Sequence, residues 1–189
     1  AKKSLFGTNP ICFGVPTGKV PFVLDASTSM INRGKIRRAH KLGEKIPYGV
    51  ALNKSGKITT NAKEALLGTQ LPIASFKGSG LAWMVDILSG VLTGSSHGGK
   101  TKDPFDDFTG PQNVGHLFIT INPKVFIGKN FMKEMKKNIK LVKKLPKAKG
   151  FNSILYPGER KNKTYKKNLN KDISIPSKIL KEINKLYAD

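Results

Sequence analysis

The chain is poor in several features, and each shortage narrows what it can be. It has one cysteine, Cys12, so no intramolecular disulfide can form and the sequence suits a reducing compartment. Its three histidines, His40, His97 and His116, stand far apart, and neither H-x-x-x-H nor C-x-x-C spacing occurs, so no metal site is expected. The most apolar stretch, Leu81 to Leu92, contains Asp86 and falls short of the roughly 20 residues a membrane span needs. No apolar run follows Lys2 and Lys3, so no signal peptide is read and the cytoplasm is the expected location. The Rossmann fingerprint G-x-G-x-x-G after a strand is missing, as are a G-x-S-x-G elbow and any fixed-period repeat.

Acidic residues are scarce too. Against 34 Lys and Arg stand 12 Asp and Glu, a formal net charge of +22, which first suggests a polyanionic partner. Only Arg33, Arg37, Arg38 and Arg160 are arginines, however, and lysine reads base edges far less well than the bidentate Arg fork. The aromatics, 10 Phe, 4 Tyr and 1 Trp, are scattered rather than interleaved with basic residues as base stacking requires. A solvated Lys surface is therefore the preferred reading, and a basic nucleic-acid-binding module the rival one. The excess is uneven, with 19 basic and 5 acidic residues in 124–189 against 15 and 7 in 1–123.

What is present supports a folded protein. A chain of 189 residues with 38% hydrophobic content can bury a core as one domain or a small pair. Residues 20–25, Val-Pro-Phe-Val-Leu-Asp, predict a buried strand ending at Asp25. Ser27, Thr28 and Ser29 offer caps to a helix over 30–42, with Gly43 as its stop. A carboxylate, several hydroxyls and a helix start thus meet at one strand end, a place where ligands bind in α/β proteins, while an ordinary capped helix explains the pattern equally well. Asn61 or Thr60 caps a short helix over 64–67. Residues 81–92 place Leu81, Met84, Val85, Leu88, Val91 and Leu92 at i, i+3, i+4 spacing and predict a core helix. Residues 95–112 read as a long loop and 116–121 as a strand. An amphipathic helix over 131–145, capped by Asn130, turns Met132, Met135, Ile139 and Val142 inward. A strand over 154–156 and a last helix over 176–187 follow. Strands and helices intermix, so the class is α/β or mixed α+β.

Lys77, before Gly78-Ser79-Gly80, places a cation and unhindered backbone N–H groups at a helix start. That suits a phosphate or pyrophosphate, although the P-loop order is missing. Cys12, between Ile11 and Phe13, is expected in the core rather than as a nucleophile. His116 is expected to be a satisfied structural histidine, and His97 is assigned no role.

Eight segments then line up in order: Gly7 to Ile11, Leu24 to Ser29, Arg33 to Ile36, Ile46 to Ala51, Phe76 to Leu81, Asp86 to Gly94, Asn113 to Ile119 and Pro157 to Arg160. Together, over nearly the whole chain, they resemble the malate/L-lactate dehydrogenase family. The resemblance implies a non-Rossmann, L-sulfolactate dehydrogenase-like fold with a mixed, largely antiparallel sheet flanked by helices. Residues 1–123 would form most of the cofactor-binding domain, and the Lys-rich 124–189 a helical part packing back on the same fold. It also implies NAD or NADP as cofactor, a small 2-hydroxy or 2-oxo acid as substrate, hydride transfer between them, and a homodimer, with no membrane and no specific nucleic acid as partner.

The cofactor contacts implied are Pro21, Phe22, Val23, Leu24, Asp25, Ala26 and Ser27, the pair Phe76 and Lys77, and Gly158, Glu159 and Arg160. Thr8 and Asn9 are candidates for the substrate. In the family a Ser-His pair with a nearby Arg precedes the Gly-Thr-Asn-Pro motif, the His donating the proton and the Arg gripping the substrate carboxylate. Neither stands before Gly7 here, so the chain is expected to be the C-terminal part of an enzyme, its N-terminal part missing. Asp25 would serve catalysis by orienting that His, because a buried carboxylate fixes an imidazole's tautomer. A helix-capping carboxylate is the plainer role. A non-catalytic remnant that keeps the dehydrogenase fold is the remaining alternative.

Overall fold

A computed structural model describes residues 3–186; Tyr187, the expected end of the last helix, lies outside them. The chain forms two compact units, one of Ala1–Cys12 with Asp25–Thr120 and one of Phe13–Leu24 with Ile121–Asp189. Strand β1 (Ile11–Val15) pairs with β2 (Phe22–Ala26), where residues 20–25 predict a buried strand; β2 runs one residue past Asp25 and none of its residues is buried. The class is mixed α/β.

The first unit is organised by α1 (Arg33–Leu42) and α2 (Ala62–Leu66). Ser27, Thr28 and Ser29 do not cap α1; Asn32 does, its Oδ1 accepting from the Lys35 N–H at 2.8 Å. The expected hydroxyls are used earlier: Thr28 donates to the Thr8 carbonyl, Ser27 to that of Ser29 and Ser29 to that of Ile31. Gly43 ends the helix as expected, with φ 74°, in the left-handed region that glycine adopts without a Cβ penalty. Asn61 caps α2 by accepting from Lys63 and Glu64. Strands β3 (Ala51–Leu52) and β4 (Thr69–Gln70) pair antiparallel, Ala51 facing Gln70. Between these elements lies the core of Ile31, Ile36, Ala39, Ile46, Val50, Ala51, Ala62 and Ala65. Ile36 and Ala39 share one face of α1, one turn apart. Burying Ile36 alone contributes about 1.5–3 kcal/mol.

Helix α3 (Phe76–Asp86) starts five residues before the predicted 81 and runs into a wider turn, in which the Leu92 N–H donates to Ile87 five residues back. It is not the core helix that its spacing predicts. Its buried positions are Gly78 and Ala82, while Leu81, Trp83, Met84, Ile87, Val91 and Leu92 are exposed. The inner face is small because backbone approaches it: a Cβ on Gly78 would lie 2.0 Å from the Ile73 carbonyl oxygen. Residues 116–121 form no strand, and Phe118 is 89% exposed. A strand pattern needs a neighbouring strand, and none pairs with it among the described residues.

The loop over 95–112 is tied to α1 by charge. Asp103 and Asp106 ring the guanidinium of Arg37 at 3.1 and 2.6 Å, Arg33 Nε stands 3.0 Å from Asp103, and the Phe105 ring lies 4.5 Å from the Arg37 guanidinium carbon. Burial works to raise the pKa of Asp103, but the Phe105 N–H and the Arg37 and Arg33 guanidiniums outweigh it and hold the carboxyl below its ordinary 3.8. Asp107 is also held below 3.8, by bonds from the Thr109 hydroxyl and N–H.

The second unit carries α4 (Lys124–Ile127), α5 (Phe131–Lys144), α6 (Glu159–Asn168) and α7 (Ser177–Lys185). Asn130 precedes α5 but makes no side-chain cap bond, because its backbone is already helical. Met132, Met135 and Ile139 are half-buried and Val142 is exposed. The sequence reading missed α6, since Glu-Arg-Lys-Asn-Lys-Thr-Tyr-Lys-Lys-Asn has no apolar stripe to betray it. Residues 154–156 form no strand, against the expectation, and Pro157 then accepts a hydrogen bond from the Val23 N–H at 3.0 Å. Aromatic rings pack this unit: Phe13 edge-on to Phe22, and Phe22 stacked on Tyr156.

Candidate functional site

In the first unit, backbone bonds gather motifs that lie far apart in sequence. Thr28 donates to Thr8 at 2.9 Å, Ile73 to Thr28 at 2.9 Å and Met30 to Leu71 at 2.8 Å, so the segment after β2 lies between the Thr8 segment and the chain leading to α3. The Asn9 side chain then donates to the Ala82 carbonyl at 2.9 Å. Thr8, Asn9, Ser27 and the first turns of α3 are thereby fixed in one assembly. Asn9 itself is at φ 36°, a conformation Asn tolerates better than most residues.

Two consecutive non-glycine residues with positive φ, Ala74 (47°) and Ser75 (57°), stand immediately before Phe76 and Lys77. Each costs on the order of 1–3 kcal/mol, strain that characteristically persists at ligand clamps and active sites. The Ser75 side chain makes no cap hydrogen bond to the 11-residue α3. Phe76 and Lys77 are exposed. A positively polarised helix end beside a free-standing ammonium group is an arrangement that favours an anion. Asp25 is exposed and Ala26 and Ser27 are half-buried. Asp25 therefore lacks the burial that its orienting role was argued from.

In the second unit, the Pro157-Gly158-Glu159-Arg160 turn is built onto the strand segment 20–23. Gly158 has φ 100°, and a Cβ there would lie 2.7 Å from the Pro21 carbonyl oxygen and 3.1 Å from the Val23 nitrogen. The Tyr156 hydroxyl donates to the Val20 carbonyl at 2.7 Å. Glu159 Oε1 accepts from the Lys143 ammonium group and Oε2 from the Tyr156 N–H. Phe22 and Val23 are half-buried, and Pro21, Leu24 and Arg160 are exposed. Sequence reasoning missed Tyr156 and Lys143. Tyr156 has a signal, standing two residues before a glycine turn, whereas nothing distinguishes Lys143 from its neighbouring lysines.

The remaining candidates fall elsewhere. Cys12 is exposed, against the expectation of a core position, because the two-stranded sheet puts no layer over it among the described residues. His116 is exposed, its ring centroid 6.2 Å from that of Phe118, and among the described residues its ring makes no hydrogen bond, where a satisfied histidine was expected. His97 Nδ1 lies 2.9 Å from the Ser95 carbonyl oxygen, a local tie within its own loop. No group of three His, Cys, Asp or Glu among the described residues could hold a metal ion. A groove of about 410 Å³ in the first unit, with Ile31, Ile46 and Val50 as floor and Lys35, Arg38 and Lys45 as rim, contains none of the predicted residues.

Comparison with known proteins gives a consistent result. A profile of the malate/L-lactate dehydrogenase family matches residues 1–184. The chain is 34% identical over 188 residues to a malate/(S)-sulfolactate dehydrogenase of Methanothermus fervidus, covering 98% of this chain and 53% of that protein. It is 41% identical over 126 residues to a (2R)-3-sulfolactate dehydrogenase (NADP(+)) of Chromohalobacter salexigens, covering 66% and 38%. Among solved structures it matches a sulfolactate dehydrogenase of Methanocaldococcus jannaschii with a TM-score of 0.78 and 36% identity, covering 93% of this chain and 50% of that one. The chain thus spans about half the length of the curated relatives it matches.

Proposed function

Because the chain belongs to the malate/L-lactate dehydrogenase family, we propose that it is the nicotinamide-binding part of an NAD- or NADP-dependent dehydrogenase that interconverts a small 2-hydroxy acid and its 2-oxo acid. The observation that carries this reading is the start of α3: exposed Lys77, a helix start without a side-chain cap bond, and the strained pair Ala74 and Ser75 in front of it. Strain of this kind is retained where geometry serves a ligand.

The residues present fit such a cofactor. The Lys77 ammonium group, at the positively polarised start of α3, would hold a phosphate or ribose hydroxyl by a charge-assisted bond. Phe76 offers an exposed ring. The second unit carries candidates of its own, which the family resemblance implies: backbone and apolar surface at Pro21, Phe22, Val23, Leu24 and Gly158, and an exposed cation, Arg160, at the first turn of α6. When bound, the nicotinamide ring gives or takes the hydride. Thr8 and Asn9, held to Thr28 and Ala82, position the substrate end. The family resemblance assigns Asp25, exposed here, to orienting a proton-donating His, and Ser27 lines the strand end beside it. That His, and the cation for the substrate carboxylate, come from sequence outside these 189 residues. A second copy of the chain completes a homodimer, and a reducing cytoplasm suits the single cysteine. No helix among the described residues is long and apolar enough to cross a membrane.

Activity tests this directly. The 189-residue chain alone should not oxidise NADH or NADPH with pyruvate, oxaloacetate or sulfopyruvate, because general acid catalysis alone is worth about 10²–10⁴-fold. Joined to a segment carrying the Ser-His pair and the Arg, it should do so, read by the loss of reduced-nicotinamide absorbance. Turnover by the chain alone would place the acid within it, and inactivity of a folded, joined protein with every 2-oxo acid would refute the reading.

A further inference from the structure

The second unit holds a cluster in which Tyr156 and Lys143, to which no role was assigned, engage Glu159, an expected cofactor contact. Tyr156, Pro157, Gly158 and Glu159 each engage the strand segment 20–23 or one another. The Tyr156 hydroxyl donates to the Val20 carbonyl at 2.7 Å, and its ring stacks on Phe22 with centroids 6.5 Å apart and planes 6° from parallel. Pro157 accepts from the Val23 N–H at 3.0 Å. Tyr156 and Glu159 are joined reciprocally: the Glu159 N–H donates to the Tyr156 carbonyl at 3.1 Å, and the Tyr156 N–H donates to Glu159 Oε2 at 3.3 Å.

Lys143, in the last turn of α5, closes the cluster. Its ammonium group binds Glu159 Oε1 and lies 5.5 Å from the centre of the Tyr156 ring, close enough for a cation–π attraction. The Glu159 side chain is only 12% exposed. Both of its carboxylate oxygens are therefore occupied by protein donors, which leaves little room for a ribose hydroxyl to bind them.

We propose that Tyr156, Lys143 and Glu159 form a brace that positions the Pro21–Leu24 segment, which the dehydrogenase reading assigns to cofactor contact, Glu159 acting through the brace and not on the cofactor. The cofactor role rests on the dehydrogenase reading; the brace itself does not. Glu159 then differs from its neighbours Gly158 and Arg160. It is a positioning residue, and Arg160, exposed next to it, is the charged group of the turn that remains free to meet a ligand.

The test uses the 189-residue chain with Tyr156→Phe, Lys143→Met, Lys143→Arg, Glu159→Gln and the double variant Lys143→Met/Glu159→Gln. The first readout is amide hydrogen exchange of residues 20–24 without cofactor. Tyr156→Phe and Lys143→Met should each speed exchange at Val23 by about three- to ten-fold, the worth of one net hydrogen bond, with the global unfolding midpoint little changed and Lys143→Arg near wild type. Unchanged exchange at Val23, or a fall in the midpoint large enough to explain the faster exchange, overturns the brace.

The second readout is the dissociation constant for NADH and NADPH. Lys143→Met and Glu159→Gln should each weaken binding by about three- to ten-fold, and the double variant by no more than the worse single one, since both remove the same link. Additive losses, or a loss with Glu159→Gln alone, mean that Glu159 touches the cofactor and overturn its positioning role. Absence of NADH and NADPH binding in the folded wild type refutes the dehydrogenase reading and the positioning role with it, and leaves the exchange result to decide whether the brace exists.

Discussion

Gly158 and the Pro21 carbonyl oxygen are so close that a Cβ on residue 158 would stand 2.7 Å away from it, and the glycine holds φ 100° to make that approach. Two motifs from opposite ends of the chain are joined there backbone to backbone. Gly158→Ala meets both the clash and the strained backbone, so it should destabilise the second unit by about 1–3 kcal/mol. Urea unfolding measures this. An unchanged midpoint would mean that the turn is not seated on the strand.

Lys77→Ala should raise the dissociation constant of the bound nicotinamide nucleotide by about ten- to a hundred-fold, since a charge-assisted hydrogen bond contributes roughly 1.5–3 kcal/mol. The fold should survive, because Lys77 is exposed. Titration of wild type and variant, with circular dichroism as the control for folding, checks both halves. Equal affinity in two folded proteins would make Lys77 a surface charge.

The clamp between α1 and the 95–112 loop should loosen in acid. The folded Asp103 carboxyl titrates below its ordinary 3.8, so its ionised form favours the clamped state above that pH. The contribution fades as pH falls through the depressed folded value. Partly exposed pairs of this kind contribute about 0.2–1 kcal/mol, so exchange in 101–109 should rise by roughly two- to five-fold in acid relative to α1. Asp103→Asn should show the faster exchange already at neutral pH. A loop that exchanges equally in both proteins at neutral pH would mean that Asp103 does not hold it.

Several elements were legible because their signals are local. Gly43 stops α1 and Asn61 caps α2 through chemistry contained in a few neighbouring residues. The α1 cap was misplaced because the hydroxyls of Ser27, Thr28 and Ser29 are drawn to carbonyls, one of them that of distant Thr8. Helix α6 was invisible for want of apolar period, and its first residue, Glu159, is held by Lys143 and by Tyr156. Residues 116–121 carry a strand's pattern without its ladder, since pairing depends on a neighbour that the pattern cannot supply. In the site, the residue types at Lys77 and Gly158 were readable. The strain at Ala74 and Ser75 and the tie of the Asn9 side chain to Ala82 were not, because neither a backbone angle nor a contact across 73 residues has a local signature.

The charge makes a further prediction. With a net charge of +22 carried mostly by lysine, the chain should bind nucleic acid weakly and without sequence preference, and release it steeply as salt rises, through counterion release alone. Filter binding across a salt series shows the slope. Sequence-specific, sub-micromolar binding at physiological salt would favour a nucleic-acid module instead.

The central claim is that this chain binds a nicotinamide nucleotide, and fluorescence titration of NADH and of NADPH into the folded 189-residue protein tests it most directly. The account predicts saturable binding of at least one of them, displaced by its oxidised form and weakened by Lys77→Ala. No saturable binding of either, by a chain whose circular dichroism shows it folded, would contradict it.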